Sequence, residues 1–61
     1  MAQRGARYEL TISTFRHRWR WRLIAGNGET ICTSEPYATE EMARKGIRSV
    51  AANADAKVLD A

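Results

Sequence analysis

RWRWRLIAGNGETICTSE, residues 18–35, has the clearest structural pattern in the chain, and the other elements are arranged around it. Its first half places a bulky apolar residue at every second position: Trp19, Trp21 and Leu23. Arginines fill the positions between them: Arg18, Arg20 and Arg22. Because side chains two residues apart in a strand point to the same face, this alternation separates an apolar face from a basic face. The stretch therefore predicts a β-hairpin that buries its tryptophans.

The turn of this hairpin lies at Gly26–Gly28 and allows two pairings. A two-residue turn at Asn27–Gly28 would place Leu23 opposite Cys32. A three-residue loop, closed by a bulge with its last glycine left-handed, would instead place Leu23 opposite Ile31. A slip of one residue exchanges the two faces of a strand, so the pairing with more apolar matches is favoured. We therefore expect the three-residue loop.

Before the hairpin, residues 8–14 alternate apolar and polar side chains and are rich in β-branched residues. This pattern predicts a half-buried strand. A short loop at residues 15–18 would connect it to the hairpin. The expected cross-strand pairs are then Thr14 with Trp19, Ile12 with Trp21 and Leu10 with Leu23.

The chain after the hairpin has the pattern of a helix. Pro36 ends the third strand because it has no amide hydrogen to donate, and Thr39 is a candidate N-cap followed by two glutamates that favour the helix dipole. Apolar residues recur at helical spacing: Ala43, Ile47, Val50 and Ala54. Gly46 costs ~1 kcal/mol inside a helix relative to alanine, so we expect it to allow close approach to the sheet, at a tryptophan ring. Asn53 would end the helix in a left-handed turn.

The last residues, 57–60, predict a short C-terminal strand that would be poorly anchored alone. The element order is then β-β-β-α-β, an antiparallel meander with one helix on its apolar face, which is an α+β fold. Residues 1–7 show no periodicity and are expected to form a flexible N-terminal arm. Residues 8–61 form the domain.

The size of the chain predicts an oligomer. A chain of 61 residues buries only ~60% of the surface that its unfolded form exposes, so it usually needs a disulfide, a metal or a partner chain. Cys32 is the single cysteine and His17 the single histidine, which excludes an intramolecular disulfide and a structural zinc site. We therefore expect a homo-oligomer.

Composition indicates where the protein works. The N-terminal sequence lacks the apolar run of a signal peptide and the one cysteine is unpaired, so we expect a cytoplasmic location. The apolar runs are too short for a membrane span. The formal net charge is +3, yet residues 1–22 contain six arginines against one acid, Glu9. This asymmetry predicts a basic face, which can meet an anionic partner or face solvent.

A set of short motifs continues through the hairpin and the helix: RWRL at 20–23, NGE at 27–29, TSE at 33–35, GI at 46–47 and AKV at 56–58. With these motifs, residues 8–60 resemble the YegP-like family of small, functionally uncharacterised bacterial and archaeal proteins. The resemblance implies a β(3)-α-β unit found as tandem repeats or as a dimer with exchanged C-terminal strands. This chain has one unit, so the resemblance implies a homodimer whose exchanged strand contains Lys57, Val58 and Leu59. The family supplies no catalytic residues, and Phe15–His17 departs from the Asp, Lys and Gly usual in its first turn.

One cluster has a functional character: Arg16, Arg18, Arg20 and Arg22. Arginines at every second position of a strand can meet successive phosphates, whose binding releases counterions. The alternative is a solvated surface, because a strand with one buried face turns polar residues outward and arginine stems cover sheet surface. The tryptophans point away from the arginines and add no stacking platform for bases.

Two other residues have reactive side chains. His17 could be a general base, but it has no carboxylate neighbour in the chain and lies in a predicted loop. Cys32 could be a reactive thiol if Arg22 favoured its thiolate across the hairpin, and otherwise is a small residue of the sheet. We therefore predict no enzyme activity, no cofactor and no metal site. The expected function is a homodimeric binding or interaction module with an unknown protein partner, and the alternative is a nucleic-acid-binding protein that uses the arginines.

Overall fold

The computed structural model describes residues 5–60, which form three strands followed by one helix. These elements are β1 (Arg7–Ser13), β2 (Arg18–Ile24), β3 (Thr30–Thr33) and α1 (Glu40–Ala52). The strands form one antiparallel sheet in the order β1-β2-β3. The meander followed by a helix confirms the predicted α+β class. Of the predicted arm, residues 1–4 lie outside the described residues, and Arg7 already belongs to β1.

The pairing of β1 with β2 differs from the predicted register by two residues. The observed partners are Tyr8 with Leu23, Leu10 with Trp21 and Ile12 with Trp19. The prediction was wrong because the connecting loop lies one residue earlier, at residues 14–17, with Ser13 opposite Arg18. His17 closes this loop with a left-handed φ of 52°, and its amide donates to the Ser13 carbonyl over 2.8 Å. A shift of two residues leaves every side chain on its predicted face.

The turn between β2 and β3 is the predicted three-residue loop. Gly28 has a φ of 93°, which confirms the expected left-handed glycine. Its amide donates to the Ala25 carbonyl over 2.9 Å, and the Ala25 amide donates to the Glu29 carbonyl over 2.8 Å. The Asn27 side chain accepts the Glu29 amide at 3.0 Å. A backbone β-turn and an asparagine side chain together fix this loop.

Beyond the turn, β3 contains an extra residue that the prediction did not include. Ile24 pairs with Thr30, but the next residue of β2, Leu23, pairs with Cys32. The expected pair of Leu23 with Ile31 was therefore wrong, because Ile31 forms a β-bulge between these two pairs. Ile31 is 58% exposed.

The chain after β3 stays beside β2 through a second irregular stretch. The Ser34 amide donates to the Trp21 carbonyl over 2.8 Å, while the Trp21 amide donates to the Ser34 hydroxyl oxygen over 3.0 Å. Trp19 and Tyr37 then exchange two backbone hydrogen bonds of 2.8 and 2.7 Å. Pro36, which cannot donate, lies between these contacts. Regular pairing thus ends at Thr33, and Tyr37 returns to the sheet.

α1 packs on the tryptophan face of the sheet. The Thr39 hydroxyl accepts the Met42 amide at 3.1 Å, which confirms the predicted N-cap. Gly46 confirms the expected close approach, since a Cβ atom there would lie 3.2 Å from the Trp21 indole nitrogen and would overlap the Tyr37 hydroxyl. The helix ends at Ala52, but Asn53 has a φ of −110° and is not left-handed as predicted.

The buried core is small. Four residues of the described chain are buried: Trp21, Ile24, Ala25 and Ala43. The Tyr8 ring packs edge-on against Trp21, with ring centroids 5.6 Å apart. The predicted helical stripe is fully buried only at Ala43, whereas Val50 is 37% exposed. The C-terminal half of the helix therefore leaves apolar surface uncovered in the single chain.

Residues 56–60 form no strand in the single chain. The predicted C-terminal strand is therefore not part of the three-stranded sheet. Val58 is 92% exposed and Leu59 is 82% exposed. Two large aliphatic side chains thus extend from the end of the described chain without contributing to its core.

Candidate functional surfaces

The sheet face opposite α1, which we call the open face, carries the three exposed arginines of β2: Arg18, Arg20 and Arg22. Their partners on β1 are polar residues: Ser13 for Arg18, Thr11 for Arg20 and Glu9 for Arg22. Directly paired residues of antiparallel strands share a face. The predicted basic face therefore has hydroxyl groups beside two arginines and a carboxylate beside the third.

Glu9 binds two arginines at one end of the open face. Its carboxylate accepts from the Arg22 guanidinium at 2.7 Å and from the Arg7 guanidinium at 3.1 Å. The hydrogen bond from Arg22, followed by that from Arg7, lowers the pKa of the Glu9 carboxyl below its ordinary value. Glu9 is therefore ionised at neutral pH, and its negative charge partly offsets the positive charge of Arg22 in the predicted arginine cluster.

Arg18 and Arg20 have no carboxylate partner among the residues that the structure describes. The Thr11 hydroxyl donates a long hydrogen bond of 3.5 Å to the Arg20 carbonyl and leaves the guanidinium free. Both arginines are exposed. Their charge is thus available to an anionic ligand.

The loop between β1 and β2 contains an aromatic residue, Phe15, that is close in sequence to these arginines. Phe15 is 84% exposed. The guanidinium carbon of Arg16 lies 5.7 Å from the centroid of this ring, which is cation–π distance. Because Ser13 and Arg18 form the last pair of the ladder, Phe15 and Arg16 extend the same end of the sheet. Of the four predicted arginines, Arg16, Arg18 and Arg20 lie at this end, and Arg22 is held by Glu9.

An apolar groove of about 420 Å³ lies between the sheet and the end of α1. It is lined by residues from all four elements and their flanks: Ala6, Arg7, Tyr8, Leu23, Ile31, Ala51 and Ala54. The bulged Ile31 contributes to this groove, so its exposed side chain lies beside other apolar groups. Nothing in the sequence pattern indicated a groove here, because Ile31 was assigned to the core.

The remaining candidate residues do not come together. His17 is exposed, and its left-handed backbone gives it a role in the loop. Cys32 is an exposed free cysteine opposite Leu23, whereas Arg22 lies opposite Thr33, so the predicted pairing of the thiol with that arginine is not formed. Across residues 5–60, the His, Cys, Asp and Glu side chains form no cluster of three or more suited to a metal ion.

Lys57, Val58 and Leu59, the candidate dimer strand, lie after the helix and are exposed. No helix within residues 5–60 has the length and apolar character that crossing a membrane requires.

Comparison with known proteins places this architecture in a family. The family model described as a domain of unknown function, DUF1508, matches residues 17–60. The UPF0339 protein YegP of Escherichia coli is 50% identical over 46 residues, which are 75% of this chain and 41% of the relative. A UPF0339 protein of Photorhabdus laumondii is 52% identical over 40 residues, or 66% of this chain and 35% of the relative. The chain thus spans about two fifths of the length of these curated relatives.

A solved structure has the same fold along the entire chain. It is the NMR solution structure of a protein from Haloferax volcanii, with a TM-score of 0.76 and 36% sequence identity. The match covers 100% of both chains. The solved chain therefore has the same extent as this one and the same fold.

Proposed function

This chain belongs to the DUF1508 family, whose function is unknown, and we propose that it is a non-catalytic binding module that works as a homodimer. In this proposal, the C-terminal residues Lys57, Val58 and Leu59 of each chain pair with the partner. The two copies then share one continuous sheet. The location that we propose is cytoplasmic, because Cys32 is an unpaired and exposed thiol.

The observation that carries this proposal is the exposure of the C-terminal segment. Val58 is 92% and Leu59 82% exposed in the single chain. Burying each aliphatic side chain would contribute about 1.5–3 kcal/mol. Such a gain is large for a domain whose buried core consists of Trp21, Ile24 and two alanines.

The surface offers a complementary place for such a segment. The apolar groove of about 420 Å³ has aliphatic and aromatic walls, including Tyr8, Leu23 and Ile31. β1 and β3 are both edge strands of the sheet and have unpaired backbone groups along one side. A segment from a second chain can satisfy an edge with its backbone while its side chains enter an apolar surface.

The lengths of the relatives also support a pair of units. Each curated relative is more than twice as long as the part that matches this chain. Such a chain has room for two units in tandem, and a homodimer would supply the same two units from separate chains.

The dimer is tested by measuring molar mass in solution with multi-angle light scattering. We expect wild type at twice the mass of one chain, and a variant lacking residues 56–61 at the mass of one chain. Leu59→Asp should also weaken the dimer. The control is Met42→Asp, which makes the same apolar-to-acidic change at the start of α1, where Met42 is 50% exposed. This control should leave the dimer intact. A stable dimer without residues 56–61 would contradict strand exchange, and a monomeric wild type would contradict the homodimer.

A second candidate function is the binding of nucleic acid on the arginine cluster Arg16, Arg18, Arg20 and Arg22. The observation that favours it is that Arg18 and Arg20 are exposed on the open face without a carboxylate partner in the described chain. Guanidinium groups bind phosphates through charge and paired hydrogen bonds. Such binding weakens steeply with salt, which distinguishes it from docking of an uncharged protein surface.

This candidate is tested with a pair of variants matched in charge. Arg18→Gln with Arg20→Gln should weaken the binding of a labelled oligonucleotide and reduce its dependence on salt. Lys45→Gln with Arg48→Gln removes the same charge from the exposed side of α1 and should preserve binding. Equal losses in both variants would show a non-specific effect of net charge and would contradict a site on the open face.

A further inference from the structure

Charge is distributed unequally along the open face. At one end, Glu9 accepts from Arg22 at 2.7 Å and from Arg7 at 3.1 Å. At the other end, the residues of β1 that face Arg18 and Arg20 are Ser13 and Thr11, which carry no charge. One carboxylate against two guanidinium groups leaves a net charge of +1 at the Glu9 end, whereas Arg18 and Arg20 contribute +2 without compensation. Most of the positive charge of this surface therefore lies toward the loop between β1 and β2.

The same loop presents an aromatic ring to solvent. Phe15 is 84% exposed, so it adds almost nothing to the core of the domain. The Arg16 guanidinium lies 5.7 Å from the centre of its ring. An exposed ring flanked by cations is the combination that binds unpaired nucleobases, because the ring stacks on a base while the cations bind the backbone.

We infer that Phe15, Arg16, Arg18 and Arg20 form a site for single-stranded nucleic acid. This inference rests on the second candidate function and specifies its ligand. Arg18 and Arg20 are two residues apart on β2, which separates their backbone positions by about 6.5–7 Å along the strand, so each contacts its own phosphate. Phe15 stacks on a base of the same strand. A duplex lacks free base faces, so the site selects single strands.

The first measurement is the affinity for a labelled oligothymidine strand, and for a duplex, between about 50 and 200 mM salt. Three phosphate contacts predict that the logarithm of the affinity falls with the logarithm of salt concentration at a slope of about −2 for a single strand. Arg18→Gln with Arg20→Gln should reduce this slope to about −0.7. Glu9→Gln releases Arg22 and Arg7 and should increase both the affinity and the slope.

The second measurement separates stacking from charge. Phe15→Ala keeps every arginine and should weaken single-strand binding by about 5- to 150-fold, which corresponds to the loss of one stacked base. Phe15→Leu keeps an apolar side chain without a flat ring and should lose as much. Phe15→Trp should preserve affinity, and the fluorescence added by the new indole should be quenched by the strand. Circular dichroism of each variant confirms that it is folded.

The results separate this inference from the function on which it rests. Loss of binding with Arg18→Gln and Arg20→Gln but full binding by Phe15→Ala would overturn the stacking site and leave a phosphate-binding face. Equal affinity for duplex would overturn the selection of single strands. No binding to either nucleic acid at low salt would overturn both the single-strand site and the second candidate function. Binding to phosphatidylserine vesicles without binding to oligonucleotides would overturn both as well.

Discussion

Replacing Gly46 by alanine tests the packing of α1 on the sheet. In an open helix this substitution would stabilise the protein by ~1 kcal/mol, because alanine has the higher helix propensity. Here the added Cβ atom would overlap the Tyr37 hydroxyl, and would lie 3.0 Å from the carbon that carries this hydroxyl and 3.2 Å from the Trp21 indole nitrogen. The expected sign is therefore reversed.

Both contacting residues are anchored in the sheet. The Tyr37 backbone exchanges two hydrogen bonds with Trp19, and the Trp21 ring is 4% exposed and packed against Tyr8. Overpacking of such a contact costs about 1–3 kcal/mol. After the gain in propensity, we expect Gly46→Ala to lower the free energy of unfolding by ~1 kcal/mol and the melting temperature by about 4–8 °C.

The assay is urea unfolding followed by tryptophan fluorescence, with all variants at one chain concentration because association adds to apparent stability. A double-mutant cycle with Tyr37→Phe identifies the contact. Removing the hydroxyl should make Gly46→Ala less destabilising than it is in wild type. A Gly46→Ala variant that is ~1 kcal/mol more stable than wild type would show that the helix does not approach the sheet this closely.

Two further predictions concern the core and the open face. Trp21→Ala should lower the free energy of unfolding by about 3–5 kcal/mol, as truncations of buried aromatic side chains do, and an unchanged thermal melt would show that this ring is not part of the core. Glu9 has its pKa lowered by Arg22 and then Arg7, so its ion pairs stabilise the fold above the ordinary pKa of the carboxyl, and this contribution is lost as the pH falls through the lowered value. In acid melts, Glu9→Gln should therefore show a weaker dependence on pH than wild type, and identical acid profiles would refute the pairing.

The sequence predicted the faces of β1 and β2 correctly but not the register in which they pair. For β3 the faces were also wrong beyond Ile31, because the bulge places Cys32 opposite Leu23 and Thr33 opposite Arg22. A period of two residues determines which side of the sheet Trp21 occupies, and any shift by an even number of residues preserves that side. The loop that sets the pairing depends on a left-handed His17, which no glycine or asparagine signals in advance. The bulge at Ile31 likewise cannot be recognised from the alternation of apolar and polar residues.

Because of the error in register, the sequence did not predict the ion pair between Glu9 and Arg22. In the predicted pairing Glu9 would lie opposite Ile24, whereas the observed pairing places it opposite Arg22. The arginines were recognised from the sequence. Which of them is paired with a carboxylate depends on the register between β1 and β2, which the sequence did not give correctly. Gly46, in contrast, was interpreted correctly, because a glycine inside a helix has a cost that close packing can explain.

The irregular path of β3 has a consequence for aggregation. A long, straight edge strand acts as a template on which further chains add without limit. β3 has only four residues, is interrupted by the bulge at Ile31, and continues into a segment where a serine hydroxyl replaces the backbone acceptor for Trp21. Its outer side is therefore a poor template for a fibril. β1, with seven regularly paired residues, is left as the straight edge of the described sheet. If two copies pair through this one edge, no second straight edge remains on which a further chain could add.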